Sequence, residues 1–268
     1  MVRAKALPAL ISADGSEDRL FVIALARGLS VLKAFEAGDD LLTNAEIAKR
    51  TTLPKATITR LTYTLCQLGY LARDTSKPGY RLDPHILTLG FPVLAGLSVR
   101  ALARPMLQAL AEEEGVTVSL GLRDGTHMIL VERVRSSAPV ALQQDIGTRV
   151  PIALTALGRG YIAGLGDTPR NALLEELRAS IARGRWSSTI QGIERELVRY
   201  RKQGYCFGGA WDAELTGVAL PLALPGHTLL SLACAGSRTR LPDARLAKLG
   251  ERLKSIARRI KLSPENSL

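Results

Sequence analysis

The chain has 268 residues, 46% hydrophobic but only 4% aromatic, so Leu, Val, Ile and Ala must fill its interior, and the length suits two domains. A net charge of +11 favours an anionic partner. Three cysteines (Cys66, Cys206, Cys234) and three histidines (His85, His127, His227) exclude a disulfide framework and make a metal site or cofactor unexpected. No apolar run is long enough to span a bilayer, and the expected setting is a reduced cytoplasm.

Residues 1–20 contain Pro8 and early acids, against a signal peptide, and read as a disordered arm. In "ALARGLSVLKAFEAG", Leu25, Leu29, Leu32 and Phe35 share one helical face, with Gly38 as the stop. Thr43 and Glu46 have capping-box spacing and predict a second, short helix ending near Arg50. Pro54 then suits the first position of a third helix. Its inward stripe is Ile58, Leu61, Leu65 and Leu68, and Gly69 ends it. Ala56, Thr59, Arg60, Tyr63 and Gln67 take the opposite face, with Lys55 and Thr57 at the N-terminus. Two strand-like runs follow, "YLAR" and "YRL", joined by "DTSKPG". They predict a hairpin with Arg73 and Arg81 on its strands and Lys77 at its tip.

Three helices, the last two tightly joined, followed by a basic hairpin make the pattern of a winged helix-turn-helix. A major groove admits one helix, whose N-terminal and outward residues meet base edges, while wing cations lie along the backbone. Arg60 is the first candidate for base reading, and Lys55 and Thr57 divide between base and phosphate. Ala56, Thr59, Tyr63 and Thr43, at the start of helix two, complete the candidate contact set. The competing reading is a three-helix module that binds only protein. Steep loss of DNA affinity with salt would separate the two.

The segments "LTNAEIAKRTTLPKATITRL", "TLCQLGYLARD" and "YRLDPHILTLG" resemble the IclR family of bacterial transcriptional regulators. "ARPMLQALAEEEG", "VSLGLRDG" and "GTRVPIALTALGRG" match the same family in order, so the resemblance covers roughly residues 21 to 260. "FVIALARGLSVLKAF" is most similar to a branch that includes regulators of aromatic-acid breakdown through the β-ketoadipate pathway. The family usually has glycine where this chain has Thr52, so a slightly rebuilt turn is expected.

The resemblance implies an α/β (α+β) architecture in four parts. These are an arm at 1–20, a winged helix-turn-helix at 21–83, a helical or broken-helical linker at 84–104, and a GAF-like effector-binding domain at 105–262. Patterning agrees. "LQALAEEEG" is helical, "TVSLGLRDGTHMILVERV" gives two strands across "RDG", "GVALPLAL" and "TLLSLACAG" give a late strand pair, and "GIERELVRYRKQGY" is a helix. A last helix turns Leu246, Leu249, Leu253, Ile256 and Ile260 inward, and its many cations read as a solvated face. "GRGYIAGLG" lacks dinucleotide-fingerprint spacing.

The family pocket maps to Leu142 and Val150 as walls, Ala156 and Leu157 as amide donors at a helix start, and Val218 beneath. Trp211 and Asp212 lie nearby, and the family's two serines fall at Ala233 and Ala235, flanking Cys234. So apolar a pocket implies an aromatic or bulkier organic acid, with a short acid such as glyoxylate or pyruvate as the alternative. The implied partners are a partly palindromic double-stranded operator, the acid effector, and further copies of the chain in a homodimer or dimer of dimers. An enzyme is not expected: Ser119 lacks a G-x-S-x-G context, and neither His127 nor His227 has an evident partner.

Overall fold

A computed structural model describes residues 20–137, 144–209, 211–224 and 229–263. The chain divides into two compact units, 1–96 and 97–268.

In the first unit, α1 (Ile23–Leu32) is shorter than predicted, and Gly38 lies in the turn beyond it with φ +96°. Its inward residues also differ. Val31 and, just past the helix, Ala34 are buried, whereas Leu25 and Leu29 are 62% and 45% exposed. Leu32 and Phe35 only flank the core. The helix is apolar on more than one side, so periodicity alone did not fix its rotation.

The capping box forms as predicted at α2 (Asn44–Thr51): the Thr43 amide donates to Glu46 Oε2 at 2.8 Å, and the Glu46 amide donates to Thr43 Oγ1 at 3.3 Å. The following turn is not rebuilt. Thr52 adopts the left-handed conformation itself (φ 60°, ψ 18°), and its hydroxyl donates to the Thr51 carbonyl at 2.6 Å. Pro54 then caps α3 (Lys55–Gln67) from just outside it. Ile58, Leu65 and Thr62 are buried on α3, and the Thr62 hydroxyl is satisfied by the Ile58 carbonyl at 2.9 Å. Leu68, placed inward by the sequence, is 58% exposed because the helix ends one residue earlier.

The wing is β1 (Leu71–Arg73) paired antiparallel with β2 (Tyr80–Leu82). Leu42 bonds to Tyr80 in both directions at 2.9 Å and anchors the wing beside the start of α2. Val31, Leu42, Ile47, Leu53, Ile58, Leu65 and Leu71 form one core beneath it. A 3-10 turn (Pro84–Ile86) leads into α4 (Leu87–Ala95), which has no buried residue and exposes Leu87, Leu89, Phe91 and Val93.

In the second unit the sheet has the order β5-β4-β3-β8-β7-β6, with every neighbouring pair antiparallel. The strands are β3 (Thr117–Asp124), β4 (His127–Arg135), β5 (Arg149–Pro151), β6 (Cys206–Gly208), β7 (Leu215–Leu222) and β8 (Leu230–Ser237). Helices α5 (Val99–Glu114) and α9 (Asp243–Lys261) pack together against the sheet. Arg252 of α9 joins them by pairing with Glu113 and with Glu114 at 2.8 Å. Leu246, Leu249, Leu253, Ile256 and Ile260 are buried as predicted. Two cations of α9 are less solvated than expected, since Arg245 and Arg252 bond to α5; before the helix, the exposed Arg238 binds the carbonyls of Gly209, Ala213 and Leu215.

Helix α6 (Ala156–Gly164) also packs on the sheet, with α8 (Arg183–Gln203) against it; α7 (Asp167–Ser180) lies between them in the chain. The glycines of "GRGYIAGLG" permit this close approach. A Cβ on Gly158 would lie 2.0 Å from the Ile152 carbonyl oxygen, and one on Gly160 would lie 2.7 Å from Ser231 Oγ.

Thr52 is the one described non-glycine residue with positive φ. Left-handed backbone costs a β-substituted residue ~1–2 kcal/mol, partly offset by the greater chain entropy of glycine when unfolded. Thr52→Gly is therefore expected to stabilise the first unit by up to ~1 kcal/mol. Denaturant unfolding followed through this unit checks it, and a loss of stability would mean that the Thr52 hydroxyl outweighs the backbone strain.

Candidate functional site

Two surfaces are candidates for function, one in each unit. On α3, Lys55, Ala56, Thr59, Arg60 and Tyr63 are all exposed, and the spacing of the last four puts them in one stripe. Tyr63 is 67% exposed, unusual for a large aromatic that could have joined the core. Thr57 is half-buried, and Thr43 is engaged in the α2 cap. Thr59 Oγ1 donates to the Lys55 carbonyl at 3.1 Å and accepts from Asn44 Nδ2 at 3.3 Å, coupling α2 to the exposed face of α3.

The cations from the end of α2 through the wing fall into two sets. Arg50 is structural: it binds Asp39 at 2.5 and 3.0 Å and the Ala34 carbonyl at 2.8 Å, tying α2 to the segment after α1. Arg81 is paired with Asp74 at 3.1 Å. Lys55, Arg60, Arg73 and Lys77 form no ion pair among the described residues and stand on exposed positions of α3 and the wing. Asp74 organises the wing tip. Its carboxylate accepts from the Ser76 hydroxyl at 2.7 Å and from the Ser76 and Lys77 amides at 2.9 and 2.8 Å. Those bonds hold its pKa at about 2, with a smaller contribution from Arg81.

In the second unit a cavity of about 90 Å³ opens where the N-terminus of α6 faces the sheet. Thr117 and Ser119 of β3, Leu130 and Arg133 of β4, Val150 of β5, Gly217 of β7, and Ala233 and Ala235 of β8 line it. Thr155, Ala156 and Leu157 close it from α6, and Gly208, Gly209, Trp211, Asp212 and Leu215 from the β6–β7 side. Thr155 caps α6 by accepting from the Gly158 amide at 3.1 Å. The first-turn amides of Ala156 and Leu157 have no acceptor within the helix. A Cβ on Gly208 would lie 2.1 Å from the Ala156 nitrogen, so the small residue lets β6 approach this helix start.

Of the residues placed at the pocket from sequence, Val150, Ala156, Leu157, Trp211, Asp212, Ala233 and Ala235 line the cavity. Val218 and Cys234 do not: they pair across β7 and β8 with Val118 in line, and both are fully buried. Alternation turns this row away from Ala233 and Ala235 towards α5 and α9, where Cys234 feels Glu114 and Arg252. Leu142 lies outside the described residues. Asp212 is exposed and accepts from the Glu214 amide at 2.8 Å.

Sequence reading missed Arg133. It is only 7% exposed, and its Nη1 donates to Gln144 Oε1 at 3.4 Å. Nε and Nη2 have no partner among the described residues. Burial is the main cause that pulls its pKa down to about 10, which still leaves it charged at neutral pH. The available signal was "VERVR", two adjacent opposite charges inside an apolar strand, which alternation must send to opposite faces.

No group of His, Cys, Asp and Glu suited to a metal occurs among the described residues. Burial raises all three thiols, Cys206 to about 12, so none offers a reactive thiolate.

The sequence model of the IclR helix-turn-helix domain matches residues 24–75, and that of the bacterial transcriptional regulator IclR C-terminal domain matches residues 91–262. The chain belongs to the IclR family. It is similar to the HTH-type transcriptional regulator TsaQ1/TsaQ2 of Comamonas testosteroni, 32% identical over 244 residues, covering 89% of this chain and 87% of that one. An IclR-family regulator from Brucella abortus, solved by crystallography, is 36% identical with a TM-score of 0.79, covering 94% and 96% of the two chains. An IclR homologue from Microbacterium hydrocarbonoxydans, solved with 4-hydroxybenzoate, shares the fold at 21% identity and a TM-score of 0.71, covering 89% of this chain and 97% of that one. The mixed helix–strand architecture read from the sequence is thus the family's, and its members are DNA-binding regulators of transcription rather than enzymes.

The lowered Asp74 pKa sets a pH window. A depressed carboxyl stabilises the wing above its ordinary 3.8 and loses that contribution as pH falls through about 2. NMR titration of the Asp74 carboxyl should give a midpoint near 2, and a midpoint near 4 would mean that the wing-tip bonds do not persist in solution.

Proposed function

We propose that this protein is a transcriptional regulator that binds a partly palindromic operator through α3 and the wing, and responds to a small organic acid held in the second unit. The carrying observation is the division of cations in the first unit. Arg50 is spent on Asp39, while Lys55, Arg60, Arg73 and Lys77 remain exposed without ion pairs among the described residues. Free cations on a helix face and adjacent wing suit phosphates and base edges.

Two copies are needed to read a two-fold operator. Support for association comes from the first unit, where α1 exposes Ile23, Leu25 and Leu29 and α4 exposes Leu87, Leu89, Phe91 and Val93. Apolar surface on this scale marks an association site. The reading is therefore a homodimer or dimer of dimers in the cytoplasm, with the second copy covering these side chains.

For the effector, Leu130, Val150, Leu157, Trp211, Ala233 and Ala235 favour an acid with an apolar body, such as a single aromatic ring. The 4-hydroxybenzoate of the Microbacterium homologue supplies a probe. Cavity size favours a second reading, a short aliphatic acid: about 90 Å³ is less than the ~150 Å³ that accepts a benzene ring elsewhere. A ring therefore enters fully only if the cavity widens.

Arg60→Ala is expected to weaken operator binding by ~1–3 kcal/mol and relax base preference. Lys77→Ala should lower the salt slope with little change in preference. Fluorescence anisotropy across a salt series on DNA from the protein's own upstream region checks both; unchanged affinity for Arg60→Ala would remove that side chain from the readout. A thermal-shift panel tests the effector. 4-Hydroxybenzoate should raise Tm more than pyruvate or glyoxylate. The reverse order would favour the short-acid reading.

A further inference from the structure

Among the described residues, the cavity is lined by one buried cation, and no ion pair neutralises it. Arg133 sits on β4 at the level of Ser119 on β3, and Ser119 in turn faces Ala233 on β8. All three therefore share the face that lines the cavity. The adjacent Glu132 points to the other face, where Arg100 and Arg104 hold it at 3.3 and 2.7 Å. Alternation thus denies Arg133 its chain neighbour as a counter-charge. Asp145, the carboxylate whose field reaches Arg133, is itself paired with Arg135 at 3.3 Å. Gln144 engages only Nη1. Nε and Nη2, a two-pronged donor edge of the guanidinium, lack partners among the described residues. Thr117 Oγ1, on the same face and 1% exposed, is a second buried polar atom without one.

A buried cation without a counter-charge is costly, and replacing buried charge with apolar side chains of similar volume is often neutral or stabilising. Here it lines a cavity whose other walls are largely apolar. We infer that Arg133 is the anion-recognising residue of this site, its Nε–Nη2 edge taking both oxygens of the carboxylate of a small monocarboxylic acid. The Thr117 hydroxyl and the first-turn amides of α6 line the same cavity and can donate beside it. This assignment rests on the acid-sensing reading above and deepens it: affinity comes from one charge-assisted fork rather than from the α6 N-terminus alone. It applies equally to an aromatic or a short aliphatic acid, because both present the same carboxylate.

The test uses the full chain, with Arg133→Met as the isosteric uncharged variant and Arg133→Lys as the variant that keeps charge without the fork. The probes are 4-hydroxybenzoate, its neutral amide 4-hydroxybenzamide, and pyruvate, measured by calorimetry with Tm recorded without ligand. The wild type should prefer acid to amide. Arg133→Met should lose acid affinity roughly ten- to a hundredfold while keeping the weak amide binding, and Arg133→Lys should fall between. The ligand-free Arg133→Met protein should melt higher, by about 2–4 °C, which a structural arginine would not allow. If Arg133→Met keeps the acid-over-amide preference, or melts lower without ligand, the assignment fails while the acid-sensing reading stands. If the wild type binds neither acid, both fail.

Discussion

Strand β4 must send successive side chains to opposite faces of the sheet, and it does so with an adjacent Glu132 and Arg133. On one face Glu132 is neutralised by two arginines of α5, which fixes that helix to the sheet. On the other face Arg133 enters a cavity roofed by α6, where no described carboxylate meets it. One constraint thus produces one layer in which the buried carboxylate is paired and another in which the buried cation has no ion pair among the described residues. Proteins retain such local deficits where function needs them, because removing the deficit would cost the function.

The first unit makes the same separation by other means. Asp39 and Asp74 take up Arg50 and Arg81, so the α2 junction and the wing are held by their own charges. Of the cations without an ion pair among the described residues, Lys55, Arg60, Arg73 and Lys77 stand on α3 and the wing, and Arg27, Lys33 and Lys49 on or beside α1 and α2. Beside them, α1 and α4 leave apolar side chains uncovered. A charged readout face and an apolar face within one small unit suit a module that is complete only when paired and bound to DNA.

Much of this was legible in the sequence wherever local chemistry dictates local structure. The capping box at Thr43 and Glu46 and the inward stripe of α9 follow from spacing, and the short wing strands from the turn "DTSKPG" that joins them. What stayed hidden depends on tertiary context. Helix α1 is apolar on two sides, and only packing decides that Val31 rather than Leu25 and Leu29 goes inside. Strands β5 and β6 have three residues each, too few to show a period. Mapping the family pocket onto the chain places Val218 and Cys234 in it, although residues 233, 234 and 235 cannot all face one way on a strand. Arg133 was passed over because a charge in a strand reads as solvent-facing until the second layer above it is known. Thr52 departs from simple propensity in the other direction: it keeps a backbone conformation that favours glycine.

The central claim is that acid and operator act on one equilibrium. Ligand can shift operator affinity only by its differential affinity for the DNA-competent arrangement, and the coupling must be reciprocal. The most direct measurement is operator Kd titrated against acid concentration, with acid Kd measured in the presence and absence of operator on the same sample. The account predicts that both constants change by one common factor, about 5- to 150-fold for typical coupling. Acid that binds the protein while leaving operator Kd unchanged would contradict it.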